Sequence, residues 1–433
     1  MVQSVFGSTL VQVIFLINLI KYLLYLYVDL RQKKCYEIEE IPKYILEAYK
    51  DCGEVSQEEF KKSQSYSNSK MVFGLVNRAV TFLVNWIFVF YVVYPLVWES
   101  IYTRISSNEY VSSLLFCGVM ALLDYPISLA FDVYYTFVLE EKYGFNNSTW
   151  KIFIMDQIKS GLLVGILGTI LLTVMIYIAN NTGKYFYVYI AIVQFAFIFI
   201  ISIIYPIIIV PIFNKLTPIE NQELSEKISS LCREVKFPLK NLYQMDASLR
   251  SNHGNAFFSG AFRSKSIILF DTILDFPQDE IVAIIGHEIG HWKNWDNYKL
   301  LFFSFIQTFA TLFIFHLTFS WDELYLAFGF SLSPESGGRN LILSLLVFSY
   351  VMSPFGSIVG ILHSIMSQRC EYMADEYSFN LGLGNSLARS LFRLSKKSSS
   401  CMIFDPIYSF IHLSHPTVSD RIVNLKKLAD KEN

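Results

Sequence analysis

Charge is scarce in this chain: Asp, Glu, Lys and Arg make up 17% of 433 residues, where a soluble globular protein carries about a quarter. Set against 53% hydrophobic and 16% aromatic residues, that shortage excludes an ordinary cytosolic domain and reads as a membrane protein. A basic excess is missing as well: 35 basic residues face 37 acidic ones, a formal net charge of -2, so nothing supports a nucleic-acid partner. The six cysteines (Cys35, Cys52, Cys117, Cys232, Cys370 and Cys401) show neither the CxxC spacing of zinc ribbons and redox motifs nor the density of a secreted disulfide scaffold, and read as reduced and structural. There is no internal repeat and no low-complexity tract, and the aromatic load excludes a disordered chain.

What the sequence has in abundance is long apolar runs. About 20 mostly apolar residues cross a bilayer as a helix, and seven segments pass that filter, at approximately 5–28, 71–98, 111–138, 160–180, 185–212, 300–320 and 341–363. The first is too long for a signal-peptide core and no small-residue cleavage site follows it, so it is expected to remain as a span. Pro206 and Pro211 are expected to bend or end the fifth. Positive charge sets the orientation. The 29–70 connection carries Arg31, Lys33, Lys34, Lys43, Lys50, Lys61, Lys62 and Lys70, whereas the next carries only Arg104, and rich and poor loops alternate thereafter. This predicts a lumenal or outer N-terminus, with the 213–299 segment and the C-terminal tail in the cytosol. Arg78, Asp124 and Asp132 fall inside spans and require either a water-filled cavity or buried ion pairs.

The 213–299 segment is mixed in character. Leu224, Ile228, Leu231 and Val235 recur at helical spacing, predicting an amphipathic helix over roughly 219–236. Ile267 to Phe270 reads as a buried strand. Asp275 and Pro277 announce a second helix with Asp279 and Glu280 in its first turn. On that helix stands His287-Glu288-Ile289-Gly290-His291. Four residues advance a helix by about 400°, so both imidazoles leave one face a turn apart and can bind one tetrahedral zinc, with Glu288 beside the water in the open position. A third ligand is needed, and Glu371, just past the last span, is the best candidate. Asp375, one turn on, is placed to accept the second ring N–H of a ligating histidine. In isolation the Glu371/Asp375 pair also fits a solvated acidic helix face.

Two further stretches stand out. Asn252 to Gly260 precedes the strand with small and polar residues, and Asn255 there either holds an extended peptide by strand addition or belongs to a plain turn. In Ser414-His415-Pro416, with Asp420 and Arg421 following, His415 either donates to an oxyanion or is a surface histidine. His316 and His363, in or at spans, read as packing residues.

Taken together these motifs resemble the type I CAAX prenyl protease family of integral-membrane zinc metalloproteases. The resemblance runs over nearly the whole chain: Tyr135 to Glu140, Gly144-Phe145-Asn146, Pro206 to Pro218, Asn255-Ala256, His287 through Trp292, Glu371 with Asp375, and Ser414-His415-Pro416. It implies one Zn2+ per chain, held by His287, His291 and Glu371, with Glu288 as general base and His415 as transition-state donor. Asn255, Ala256 and Arg421 become substrate-binding residues, and Asp375 supports the ligands. It further implies an all-α polytopic fold of seven transmembrane helices around a chamber, with a mostly helical, zincin-like α+β protease lobe on the cytosolic side. The expected division is 1–213 for five membrane helices, 214–298 for the protease lobe, 299–366 for spans six and seven, and 367–433 for the rest of the lobe. The implied substrates are prenylated CAAX proteins, some with a second upstream cut, and membrane lipid is the other partner. The implied location is the membrane of the endoplasmic reticulum or inner nucleus. Gly254, Phe257 and Thr417 depart from the family pattern, where a serine, a tyrosine and a second proline are common. Three alternatives stand beside this reading: a quality-control membrane protease using the same zinc site, a catalytically idle scaffold, and a transporter using the intramembrane charges.

Overall fold

The structure is a computed structural model describing residues 5–260 and 264–432. Within those residues seven helices are long and apolar enough to cross a membrane. In chain order the first five are α1 (Thr9–Tyr36), α2 (Gln57–Phe90), α3 (Glu109–Tyr134), α4 (Trp150–Asn181) and α5 (Phe186–Ile204). Their lipid-sized faces stay apolar and exposed, as at Leu122, Val164 and Ile200, because hydrocarbon takes the place of a protein neighbour.

Prolines set the irregularities. The second apolar run does not continue to residue 98. It breaks at Val92, which adopts φ 53 and ψ 33, and a separate helix Val93–Arg104 follows with Pro95 in its first turn, where a missing N–H costs least. Pro206 sits in a π turn, Tyr205–Ile209, and Pro211 in the short helix Val210–Phe213 beyond it. The fifth span thus departs from regular α-helix at the expected place without ending there.

The intramembrane charges are each accommodated. Arg78 pairs with Asp29 of α1, Gln157 donates to Asp132 at 3.2 Å, and Asp124 lines a cavity of about 1060 Å³ between α1, α2, α3 and the last span, together with Lys21 and Tyr350. Both expected solutions, cavity and ion pair, coexist.

The chain then builds a small sheet. Strands β1 (Leu216–Pro218), β2 (Leu239–Met245), β3 (Ala256–Ser259) and β4 (Lys265–Phe270) lie in the order β1-β2-β4-β3. The β2/β4 pair is parallel and the outer pairs are antiparallel, which leaves β3 at an edge. Helix α6 (Gln222–Glu234) buries Leu224, Ile228 and Leu231. Helix α7 (Gln278–Lys293) packs its apolar face into the same core, with Ile281, Ile285 and Ile289 against Ile267 and Leu269.

Two membrane helices follow, α8 (Asp296–Phe319) and α9 (Leu341–Ser378), then α10 (Gly384–Lys397) and α11 (Val418–Glu432). Helix α9 continues well past the apolar stretch that ends near residue 363, so the expected boundary at 366/367 falls inside one helix, and that at 298/299 falls inside α8. The continuation has a cause: Cys370, Ala374 and Ser378 are buried on its lobe-facing side, and that contact stabilises helix beyond the bilayer. All six cysteines are free.

Candidate metal centre and active site

Helix α7 carries His287 and His291 one turn apart, and α9 carries Glu371 opposite them. The two helices touch because α7 has glycines on the contact face. A Cβ at Gly290 would stand 2.9 Å from the Ala374 Cα and carbonyl oxygen, and one at Gly286 would stand 3.0 Å from the Ser378 hydroxyl. That hydroxyl donates across the seam to the Ala283 carbonyl at 3.2 Å. Gly286 and Gly290 against Ala374 and Ser378 form a small-residue seam that lets the backbones approach closely, and it delivers Glu371 to the histidines.

The three donors can share one metal ion, one ligand atom from each lying within 4.8 Å of the others. His287 Nε2 lies 3.2 Å from His291 Nε2 and 3.5 Å from Glu371 Oε2, and His291 Nε2 lies 3.4 Å from Glu371 Oε1. Bonds of ~2.0–2.1 Å meeting at a tetrahedral angle place neighbouring ligand atoms ~3.3 Å apart. The tautomers agree with this. His287 Nδ1 faces Asp375 Oδ1 at 2.9 Å and His291 Nδ1 faces Asp296 Oδ2 at 3.0 Å, so each Nδ1–H donates to a carboxylate. Both Nε2 lone pairs then converge on one point, which only a cation stabilises.

Electrostatics tighten the arrangement. Burial by itself lowers the pKa of His291, but hydrogen bonds to Asp296 and Glu371 outweigh it and push the metal-free imidazole up to about 10. Burial and the Arg421 charge both act downward on His287, and Asp375 and Glu371 overcome them, so it too is raised. Burial pushes the Glu288 carboxyl up from the usual carboxylate range, the direction a group that must accept and return a proton at neutral pH requires.

Arg421, expected among the substrate-binding residues, lies behind the metal ligands and is bonded to two carboxylates. It is buried, its Nε and Nη2 donate to the two oxygens of Asp375 at 2.8 and 2.6 Å, and Nη1 lies 3.0 Å from Glu371 Oε2. A planar fork between two carboxylates compensates charges that burial would otherwise penalise. Thr417 accounts for how Arg421 gets there: its hydroxyl accepts the Asp420 N–H at 3.1 Å and caps α11.

His415 stands on the open side. Its side chain is 62% exposed and its Nε2 is 3.2 Å from Glu371 Oε1. Asn255 is exposed at the start of the edge strand β3, its side-chain oxygen accepting the Ala256 N–H at 2.8 Å, while the Ala256 side chain is buried. Gly254 is glycine for a packing reason, since a Cβ would meet Ile273 at 2.5 Å.

Sequence reasoning missed Asp296, buried and bonded to His291; its signal is a carboxylate five residues past the second histidine, at the start of the next helix. It also missed a cluster beside β3, in which the Tyr66 hydroxyl donates to Glu140 Oε1 at 2.6 Å and His253 Nε2 lies 3.3 Å from Glu140 Oε2.

Seven spans joined to a lobe in which HExxH and a carboxylate from a separate helix converge define a membrane-embedded metalloprotease. Comparison with known proteins narrows this class. Residues 32–215 match the family model for the CAAX prenyl protease N-terminal region with five membrane helices, and residues 218–429 match the model for peptidase family M48. CAAX prenyl protease 1 homolog of Arabidopsis thaliana is 34% identical over 418 residues, covering 93% of this chain and 94% of the relative. CAAX prenyl protease 1 of Saccharomyces cerevisiae is 33% identical, covering 88% of each. The crystal structure of S. mikatae Ste24p superposes with a TM-score of 0.89 at 32% identity, covering 95% of this chain and 98% of that one. The chain belongs to the type I CAAX prenyl protease family of M48 metalloproteases.

Proposed function

We propose that this protein is a zinc metalloendopeptidase that removes the C-terminal tripeptide from prenylated CAAX proteins. The observation that carries the reading is the convergence of His287, His291 and Glu371 at distances that let them share one metal ion, each histidine locked by its own carboxylate. Zinc held there supplies Lewis-acid activation of water and of the scissile carbonyl. Glu288 takes a proton from the attacking water and delivers it to the leaving amine as the C–N bond breaks. His415, on the open side of Glu371, donates to the oxygen that becomes negatively charged on the attacked carbonyl. Asn255 and the free edge of β3 hold the substrate backbone extended. Asp375 and Asp296 fix the tautomers, and Arg421 holds Glu371 and Asp375 in register.

The lobe faces the cytosol in this reading, supported by the alternation of basic loops, and the membrane is that of the endoplasmic reticulum. A lipid-anchored substrate suits a membrane enzyme because its prenyl chain already concentrates it at the bilayer. The test is hydrolysis of a farnesylated CAAX peptide by the purified, detergent-solubilised protein, beside its unprenylated twin, with and without a zinc chelator. Chelator-sensitive release of the tripeptide from the farnesylated peptide is expected. Equal cleavage of both peptides would favour a quality-control protease instead.

A further inference from the structure

Strand β3 lies at the edge of the sheet, so an extended peptide added to it pairs on one side only. Antiparallel pairing is the more stable arrangement per residue. A substrate laid down in that sense carries the residues that follow the scissile bond towards the start of β3, past Asn255 to His253. Three extended residues reach about 10 Å at ~3.3 Å each, which is the length of chain from Ala256 back to His253. The end of a tripeptide tail therefore meets whatever surrounds His253.

Those surroundings are firmly built. The His253 carbonyl accepts the Thr272 hydroxyl at 3.0 Å, and the imidazole stacks on the Phe145 ring with centroids 4.5 Å apart. Glu140 ends the π turn Tyr135–Glu140 of the third span, a distortion of the kind that clusters at functional sites. It commits one carboxylate oxygen to the Tyr66 hydroxyl and the other to His253. Over the buried Tyr66 ring, 4.0 Å from its centroid, stands the ammonium of Lys70. Lys70 is half-buried, a setting in which a charged group normally has an opposite charge beside it. Among the described residues its ammonium forms no ion pair and no hydrogen bond, only this ring contact.

Other cations near the strand are engaged or turned away. At the far end of β3 Lys265 is 4% exposed and turns its ammonium onto the Gly260 carbonyl, so a tail running in the parallel sense would find no available charge there. Arg78, two turns beyond Lys70 on the same face of α2, is paired with Asp29. Lys62, one turn before Tyr66, is exposed and lies over the Phe145 ring. The face of α2 that carries Lys70 also has room for a chain end: a Cβ on Gly74, one turn on, would meet nothing within 4 Å, and Arg78 beyond it lines the cavity of about 1060 Å³.

We propose that Lys70 receives the terminal α-carboxylate of the substrate and thereby fixes the length of the tail removed at three residues. The inference rests on the substrate class proposed above. A carboxylate arriving there makes a charge-assisted hydrogen bond in a half-buried setting, where such bonds are stronger than in water. Tyr66, held in turn by Glu140, is the platform that keeps the ammonium in place. A blocked tail leaves the ammonium without its partner.

The test compares kcat/KM for a farnesylated CAAX peptide as the free acid with that for its C-terminal amide, in the wild type, Lys70→Met and Lys70→Arg. The wild type is expected to favour the acid by roughly 10- to 100-fold. Lys70→Met, of similar length and uncharged, should bring the ratio to about 1, and Lys70→Arg should keep a preference for the acid. A general folding defect lowers both rates together and leaves the ratio alone. Equal cleavage of acid and amide by the wild type overturns the proposal, as does a preference that survives in Lys70→Met. A peptide ending in photomethionine, bound to the Glu288→Gln protein so that it stays uncut, provides an independent readout. Crosslinks to α2 at Lys70 or Gly74 support the assignment, and crosslinks confined to Phe257 through Gly260 overturn it. Wild-type protein that hydrolyses neither peptide refutes the substrate reading, and the crosslinks still decide where the tail lies.

Discussion

Replacing Gly290 by alanine tests whether the glycine seam, and not the ligands alone, makes the metal centre. The added Cβ meets the Ala374 backbone at 2.9 Å, whereas ordinary contact begins at 3.4 Å, so the helices must part by about 0.5 Å (3.4 minus 2.9), an overpacking of the kind that costs roughly 1–3 kcal/mol. Neither Cα nor a carbonyl can swing aside as a flexible side chain would. Glu371 lies three residues before Ala374 on the same helix and moves with it, and metal–ligand bonds tolerate only about ±0.2 Å. If the whole cost falls on the metal-bound state, zinc binding weakens by roughly 5- to 150-fold. The assay is competition for zinc against a chromophoric chelator, with thermal unfolding of the metal-free protein measured in parallel. Gly165→Ala on α4, where a Cβ meets nothing within 4 Å, serves as the control and should bind zinc as the wild type does. A folded Gly290→Ala protein with wild-type zinc affinity would refute the reasoning.

Glu288→Gln should keep zinc and lose about 10²- to 10⁴-fold in turnover, read by metal analysis beside peptide hydrolysis; intact activity with zinc retained would sink the general-base assignment. Asp296→Asn leaves the His291 tautomer unsupported and should weaken zinc binding by about 10- to 100-fold, measured by the same chelator competition; unaltered affinity would separate Asp296 from the site. The raised histidines predict a pH dependence of metal loading. Zinc needs both imidazoles neutral, and His291 in the metal-free protein holds its proton up to about 10, so binding at pH 7 displaces protons. Affinity should fall at least tenfold for each unit of acidification between pH 8 and 7, and a flat profile over that interval would contradict the carboxylate-supported histidines.

Much of the site is readable in the residues because its chemistry is local. His287 and His291 lie a helical turn apart, and Glu371 and Asp375 are spaced likewise. The spans are equally legible, since bilayer thickness fixes their length. What escapes is set by distant contacts. No periodicity announces that Arg421 lies between Asp375 and Glu371, since that meeting depends on how α11 docks against α9. Asp296 opens a membrane helix and looks like an ordinary polar flank until His291 is seen beside it. The break at Val92 is obscure because the apolar run carries straight through, and the extension of α9 to Ser378 depends on the lobe it meets. Gly254 stands in the sequence only as a departure at a serine position, and its packing reason, Ile273 in the space a side chain would need, lies in the fold.

The spacing of the ligand set along the chain bears on biosynthesis. The ribosome delivers His287 and His291 before α8 and α9 exist, and Glu371, Asp375 and Arg421 emerge only after the polypeptide has crossed the bilayer twice more. Should either of those two helices fail to insert, Glu371 is stranded on the opposite side of the membrane from the histidines. Metal capture then becomes a proofreading step: only a correctly threaded chain acquires hydrolytic power, and nascent or misinserted copies stay harmless to their neighbours.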